Sequence, residues 1–201
     1  MKIVFFGDSI TDACRDRENP NDLGTGFVLF AANKLRLLYP ETKLNIVNRG
    51  VSGDRTTELL TRVGHDVVDE KPDVVVMLVG INDIWRRFDM GLITTEEQFR
   101  ENYEKLTKTI AATGAKLVLI EPFLLDIAER KPFRPYVNDF KKVVREVAEG
   151  KYPLIPMDEI FHGLSHDIPP KTFSEDGIHP THRGCRYIAD LVVKELKKYI
   201  V

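Results

Sequence analysis

Five short apolar runs, each followed by a longer stretch, leave this chain few ways to fold. The runs are KIVFF (2–6), KLNIVN (43–48), DVVVMLV (73–79), AKLVLIE (115–121) and YPLIPM (152–157). They are rich in Val, Ile, Leu and Phe and do not alternate strictly between apolar and polar residues. Such strands suit a parallel sheet covered by helices on both faces. The stretches between them carry helical signals. GFVLFAANKLRLLYP places Phe27, Phe30, Ala31 and Leu35 at three- and four-residue spacing and closes at Pro40. RTTELLTRVGHDVVDEKP puts Leu59, Val63 and Val67 on one stripe. TTEEQFRENYEKLTKTIAATG opens with Thr94 or Thr95 ahead of Glu97 or Gln98, a capping signature, and stops at Gly114. PYVNDFKKVVREVAEG runs from Pro135 to Gly150, and THRGCRYIADLVVKELKKYI finishes in lysines, as a helix dipole favours. Five strands alternating with five helices predict an α/β fold, a doubly wound sheet with right-handed crossovers.

A length of 201 residues suits one such domain over residues 1–201 and is short for two. With 43% apolar and 30% charged residues the composition is that of a globular protein, which excludes disordered and fibrous classes. A formal net charge of −2, with Lys and Arg spread along the chain, gives no reason for a nucleic-acid partner. No run approaches the ~18 apolar residues of a membrane span. IVFF, following Met1 and Lys2, is too short for a secretory apolar region. A cytoplasmic protein without membrane association is expected. Cys14 and Cys185 belong to no CxxC pair and are expected to be free thiols in a reducing compartment.

Three long irregular stretches, 12–24, 121–132 and 161–178, follow strand carboxyl ends, where open α/β sheets bind ligands. Chemistry-bearing residues fall at the same face. Gly7-Asp8-Ser9 ends the first strand; glycine allows a sharp turn, and the serine past it presents its hydroxyl to the crevice. By itself this could be a simple turn or cap. A serine needs a base. Of the five histidines, His65 lies inside a helical stretch, and His162 and His166 lie in a late loop with only Asp167 beside them. His179, in SEDGIHPTHRG, has Asp176 three residues before it. That carboxylate can accept the imidazole Nδ1–H and leave Nε2 to act on a serine. Asp176, His179 and His182 could also be metal ligands, but a fourth is missing and His182 falls in the first turn of the last helix, so no metal is expected. For an oxyanion, NRGVSGD offers backbone N–H groups at Gly50 or Gly53, and VGINDIW offers the Asn82 amide. The order Ser, Asp, His is a known triad order, although the G-x-S-x-G elbow is absent.

GDSIT, NRGVSGD, GIND and DGIH, in that order between residues 7 and 179, resemble the four blocks of the SGNH (GDSL) hydrolase family of esterases and lipases. The resemblance implies Ser9 as nucleophile, Asp176 and His179 as its partners, and Gly53 rather than Gly50 as an oxyanion donor with Asn82 and the Ser9 N–H. Within the family, GDSITD, LGTGFV, NRGVSGD and GINDIWRRFD are most similar to bacterial acetylxylan esterases. That implies a three-layer α/β/α, flavodoxin-like fold with a five-stranded parallel sheet. It also implies removal of acetyl groups from xylo-oligosaccharides without a cofactor, and a homo-oligomer. Cys185 departs from the small or polar residue frequent at its position in relatives. For the substrate, an acetylated sugar, Trp85 and Phe123 are the expected contacts; Trp85 could stack on a sugar, and Phe123 with Leu124 could wall the pocket. Arg55, Arg86 and Arg87 could meet a polar substrate. A lysophospholipase or thioesterase on the same fold is the nearest alternative; a non-catalytic binding module and a metal hydrolase are the others.

Overall fold

Val74–Leu78 is buried along its whole length and forms the central strand, β3, of a five-stranded sheet. The structure is a computed structural model and describes residues 1–200. The other strands are β1 (Lys2–Gly7), β2 (Asn45–Gly50), β4 (Lys116–Ile120) and β5 (Leu154–Ile155). All pairings are parallel, in the order β2-β1-β3-β4-β5. The helices are α1 (Ser9–Asp12), α2 (Phe27–Leu38), α3 (Thr56–Val63), α4 (Ile81–Asp89), α5 (Glu96–Ala111), α6 (Arg134–Ala148), α7 (Met157–Leu164) and α8 (His182–Leu196). α2 packs on α8, while α3 and α6 pack on α5. The result is the doubly wound α/β sheet expected from the apolar runs, in the three-layer α/β/α, flavodoxin-like form that the resemblance implies. Aromatic contacts tie the layers: Phe5 of β1 meets Phe27 of α2 edge-on at 5.8 Å, and Phe99 stacks on Phe140 at 4.1 Å between α5 and α6. Each such buried ring contributes about 1.5–3 kcal/mol.

The strand order reverses between β1 and β3, and a crevice opens outside the carboxyl ends at such a point. Gly7 pairs in register with Gly50 on one side and Leu78 on the other. The segments bearing Ser9, Gly53 and Asn82 therefore leave the sheet at one level.

Several boundaries differ from the sequence pattern. β5 shrinks to two residues because Pro153 and Pro156 flank it and cannot donate to a ladder. β2 starts two residues late and runs on to Gly50, since its register to β1 begins at Lys2 opposite Asn45. The stretch after Arg55 is α-helical only to Val63 and widens into a π-turn over Gly64–Val68. Three helices go beyond the five expected. α1 is a single turn capped by Asp8, α4 begins directly after Gly80, and α7 occupies the start of the 161–178 stretch.

Candidate active site

β1 ends on Gly7, and the buried Asp8 starts α1 by accepting the Ile10 N–H at 3.0 Å. This half-turn lifts Ser9 to the crevice, with its Oγ 3.0 Å from His179 Nε2. His179 Nδ1 lies 2.7 Å from Asp176 Oδ2. The other carboxylate oxygen accepts the N–H groups of Ile178 (2.9 Å) and His179 (2.8 Å) and the Ser174 hydroxyl (3.1 Å). Burial opposes the charge on Asp176, but the His179 hydrogen bond and the backbone donors outweigh it and hold the carboxyl well below its usual range. The same hydrogen bond raises His179, against a smaller opposing effect of burial. With the neutral ring's proton assigned to Nδ1 by its carboxylate partner, Nε2 is left to accept from Ser9. The loop is anchored below by Thr181, whose N–H donates to the Phe173 carbonyl at 2.8 Å and whose hydroxyl caps α8.

The two glycines of NRGVSGD separate by geometry. Gly50 presses on α1: a Cβ there would lie 2.1 Å from Asp12 N, and its N–H already donates to Asn48 Oδ1 at 2.8 Å. Gly53 has φ +91°, a conformation costly for other residues, and its N–H meets no acceptor among the described residues. Asn82 is buried in the first turn of α4 and gives one amide N–H to the Asp54 carbonyl at 3.0 Å, which leaves the other available. The segment between is pinned on three sides. Asp12 Oδ2 accepts the N–H (3.0 Å) and hydroxyl (2.6 Å) of Ser52. Arg62 Nε donates to Asp54 Oδ2 at 2.7 Å. The buried Asp83 accepts the N–H (2.9 Å) and hydroxyl (2.7 Å) of Thr56. Arg62 also reaches the carbonyls of Gly7 and Arg49 at 2.8 Å, tying the ends of β1 and β2 to α3. The sequence alone marks none of these supports, because each depends on long-range pairing.

Asp8 is fully buried, and its Oδ2 has no hydrogen-bond partner among the described residues. Burial pushes its carboxyl up to about 7, against the Ile10 hydrogen bond and the attraction of His179. Asp83 beside it is pushed by burial up to about 6. A carboxyl raised in the folded state costs no stability below its unfolded value near 4, where both states hold the proton. The cost grows as pH rises from about 4 to about 7 and is complete above. Asp8→Asn keeps an oxygen for Ile10 and removes the charge. Denaturant melts at pH 5 and pH 8 should show the wild type losing on the order of a few kcal/mol relative to the variant across that interval. Parallel pH dependence in the two proteins would disprove a buried, titrating Asp8.

Two flanks border Ser9 and His179. On one, a cavity of about 310 Å³ is lined by Ser9, His179, Ala13, Cys14, Gly26 and Pro180 among others. On the other lies Trp85, half-buried, with its ring 5.8 Å from that of His179 and 6.2 Å from Phe133. Arg130 covers Trp85, its Cζ 4.2 Å from the ring centre. Phe123 corrects the sequence reading. It is fully buried, edge-on to Phe161 of α7 at 5.1 Å, and with the buried Leu124 it belongs to the core instead of the crevice. Arg55 pairs with Glu58, Arg86 with Asp89, and Arg87 lies over Tyr136 at 4.3 Å. Arg86 still borders the crevice, since Nη2 would be 3.2 Å from a Cβ on Gly53. His65 is exposed, His162 faces Asp126 and His166, and His182 meets Phe30 edge-on at 6.0 Å. Cys14 and Cys185 are free. Among the described residues no group of three His, Cys, Asp or Glu side chains is placed to hold a metal ion, and no helix is long and apolar enough to cross a membrane.

Known proteins resemble this chain along most of its length. The GDSL-like lipase/acylhydrolase family matches residues 5–187. An acetylxylan esterase from Geobacillus stearothermophilus is 30% identical over 97% of this chain and 93% of its own. Its crystal structure superposes with a TM-score of 0.89 over the same shares of the two chains at 28% identity. Catalytic mutants of that enzyme have been solved with alanine at a serine, an aspartate and a histidine, the last two three positions apart. An alpha/beta hydrolase from the metagenome of Lake Arreo, Spain, has a TM-score of 0.90 and 30% identity over 100% of this chain and 96% of its own. The thioesterase 1/protease 1/lysophospholipase L1 of Escherichia coli K12 is 26% identical over 80% of this chain and 71% of its own. The reach of the family match, together with a whole-chain likeness to an esterase, makes this protein a carboxylic ester hydrolase belonging to the GDSL-like lipase/acylhydrolase family.

Proposed function

We propose that the protein removes acetyl groups from small esters, acetylated xylo-oligosaccharides in particular, with Ser9 as nucleophile, His179 as base and Asp176 as its orienting acid. What carries the reading is the unbroken chain of contacts from Ser9 Oγ to His179 (3.0 Å) to Asp176 (2.7 Å). The serine, aspartate and histidine of the Geobacillus catalytic mutants, with the same spacing of three, support it.

In the first step His179 takes the Ser9 proton as Oγ attacks the ester carbonyl, and Asp176 stabilises the imidazolium. The carbonyl oxygen becomes an oxyanion held by the N–H groups of Ser9 and Gly53 and the free amide N–H of Asn82. His179 then gives its proton to the departing alkoxide, leaving an acyl-serine. Water, deprotonated by the same imidazole, repeats the sequence and releases acetate. No step calls for a metal or cofactor.

The cavity, at about 310 Å³, sits at the lower end of small-molecule sites. In this reading it takes the acyl group and stops a long chain at Cys14 and Gly26. Trp85, on the His179 side, contacts the alcohol that must receive the proton. The Escherichia coli relative supports a second reading, hydrolysis of longer acyl chains. p-Nitrophenyl esters from acetate to octanoate separate the two. kcat/KM is expected to fall at least about tenfold over the series, a loss of about 1.4 kcal/mol in transition-state binding. A rise with chain length would favour the second reading. Acetate release from acetylated xylo-oligosaccharides then tests the sugar, and its absence would remove that part of the proposal.

A further inference from the structure

Arg130 carries no signal in the sequence, yet its side chain meets both the Asp176 loop and Trp85. It sits in the 3₁₀ turn Ala128–Phe133. Its Nε donates to the Asp176 carbonyl at 3.3 Å, and its guanidinium lies 4.2 Å from the Trp85 ring centre and 5.2 Å from that of Phe133. The group is thereby fixed in position and half-buried, against a Trp85 ring that itself lies 5.8 Å from the His179 ring. Arg55, Arg86 and Arg134 are all neutralised by carboxylates: Glu58, Asp89, and Asp126 with Asp158. Arg130 has no such partner among the described residues, and its Nη1 and Nη2 make no hydrogen bond there. Glu129, within the turn, and Glu175, next to Asp176, are exposed, and neither forms an ion pair with it. An anchored, uncompensated guanidinium fits a planar carboxylate in a bidentate pair.

We infer that Arg130 determines specificity by receiving a carboxylate carried on the alcohol part of the ester. Among acetylated sugars, those whose alcohol part carries a carboxylate, such as acidic xylo-oligosaccharides, are then preferred over neutral ones. The inference rests on the acyl-transfer reading above. His179 must protonate the departing alcohol, so that part of the substrate lies against the ring flanked by Trp85 and Arg130. One face of Trp85 is already covered by the guanidinium, so an acidic sugar gains from this flank an ion pair that a neutral sugar does not.

The test compares 4-acetoxybenzoate with its neutral methyl ester in wild type, Arg130→Gln and Arg130→Lys. The readout is the ratio of the two kcat/KM values. Differences in chemical reactivity between the esters cancel when the ratio is compared between proteins. A shared effect of the substitution on the Asp176 loop cancels as well. The ratio is expected to drop about tenfold in Arg130→Gln, the size of one charge-assisted pair, and less in Arg130→Lys. An unchanged ratio, with both rates altered equally, would overturn the proposal and leave Arg130 a clamp on the Asp176 loop. Failure of wild type to cleave either ester would count against acetyl-ester hydrolysis itself, and a larger loss for the neutral ester would exclude carboxylate recognition.

Discussion

Ser9→Ala is expected to lower kcat on p-nitrophenyl acetate by at least about 10⁴-fold while leaving the fold intact. The hydroxyl is the only group of Ser9 that reaches His179, and the contact is at the crevice surface, outside the core. Its loss opens no core cavity, and Asp8 still caps α1 through its own carboxylate. A residual rate from the oxyanion donors acting on water should survive. Initial rates and a thermal melt on the same preparations decide the matter. Comparable rates in the two proteins would mean that another residue attacks the ester.

Asp176→Asn is expected to lower kcat/KM by about 10⁴-fold. Asparagine can keep an oxygen where Oδ1 accepts the Ile178 and His179 N–H groups. Its amide then faces Nδ1 as a donor. The imidazole must turn its lone pair to Nδ1 and its proton to Nε2, the tautomer that cannot take the Ser9 proton. The Asp176 hydrogen bond is also the largest influence raising His179. The acid limb of the remaining activity should therefore move to lower pH, because a less basic imidazole stays neutral further down. A pH–rate profile of the variant checks both statements. A loss of rate with an unmoved acid limb would show that Asp176 does not tune His179.

A physical division separates the residues that a sequence reveals from those that it conceals. Ser9 and Asn82 are legible because a residue just past a parallel strand has one place to go, the crevice face; the same placement leaves Gly50 and Gly53 open, and only the family resemblance singles out Gly53. Asp176 and His179 are legible because three residues on one loop suffice to pair them. The sheet is legible because strands buried on both faces lack alternation, as Val74–Leu78 does. Phe123 is misplaced by its sequence because the same apolar type serves wall and core. β4 lies one strand beyond the β1–β3 reversal, and α7 covers its exit with Phe161. α4 is hidden although Ile81 and Ile84 already show helical spacing, since Asn82 and Asp83 read as turn residues. Arg62, Arg130 and the burial of Asp8 depend on partners far along the chain. No local pattern marks a guanidinium that bridges two strand ends or lies across a tryptophan.

Labelling by a phosphonofluoridate ester tests the central claim most directly. Such a reagent phosphonylates an activated serine and is not readily released from it. One label per chain should appear in step with the loss of esterase activity, and peptide mapping should place it on Ser9. Inactivation with the label on any other residue, or full activity after exposure to the reagent, would contradict a Ser9 nucleophile activated by His179.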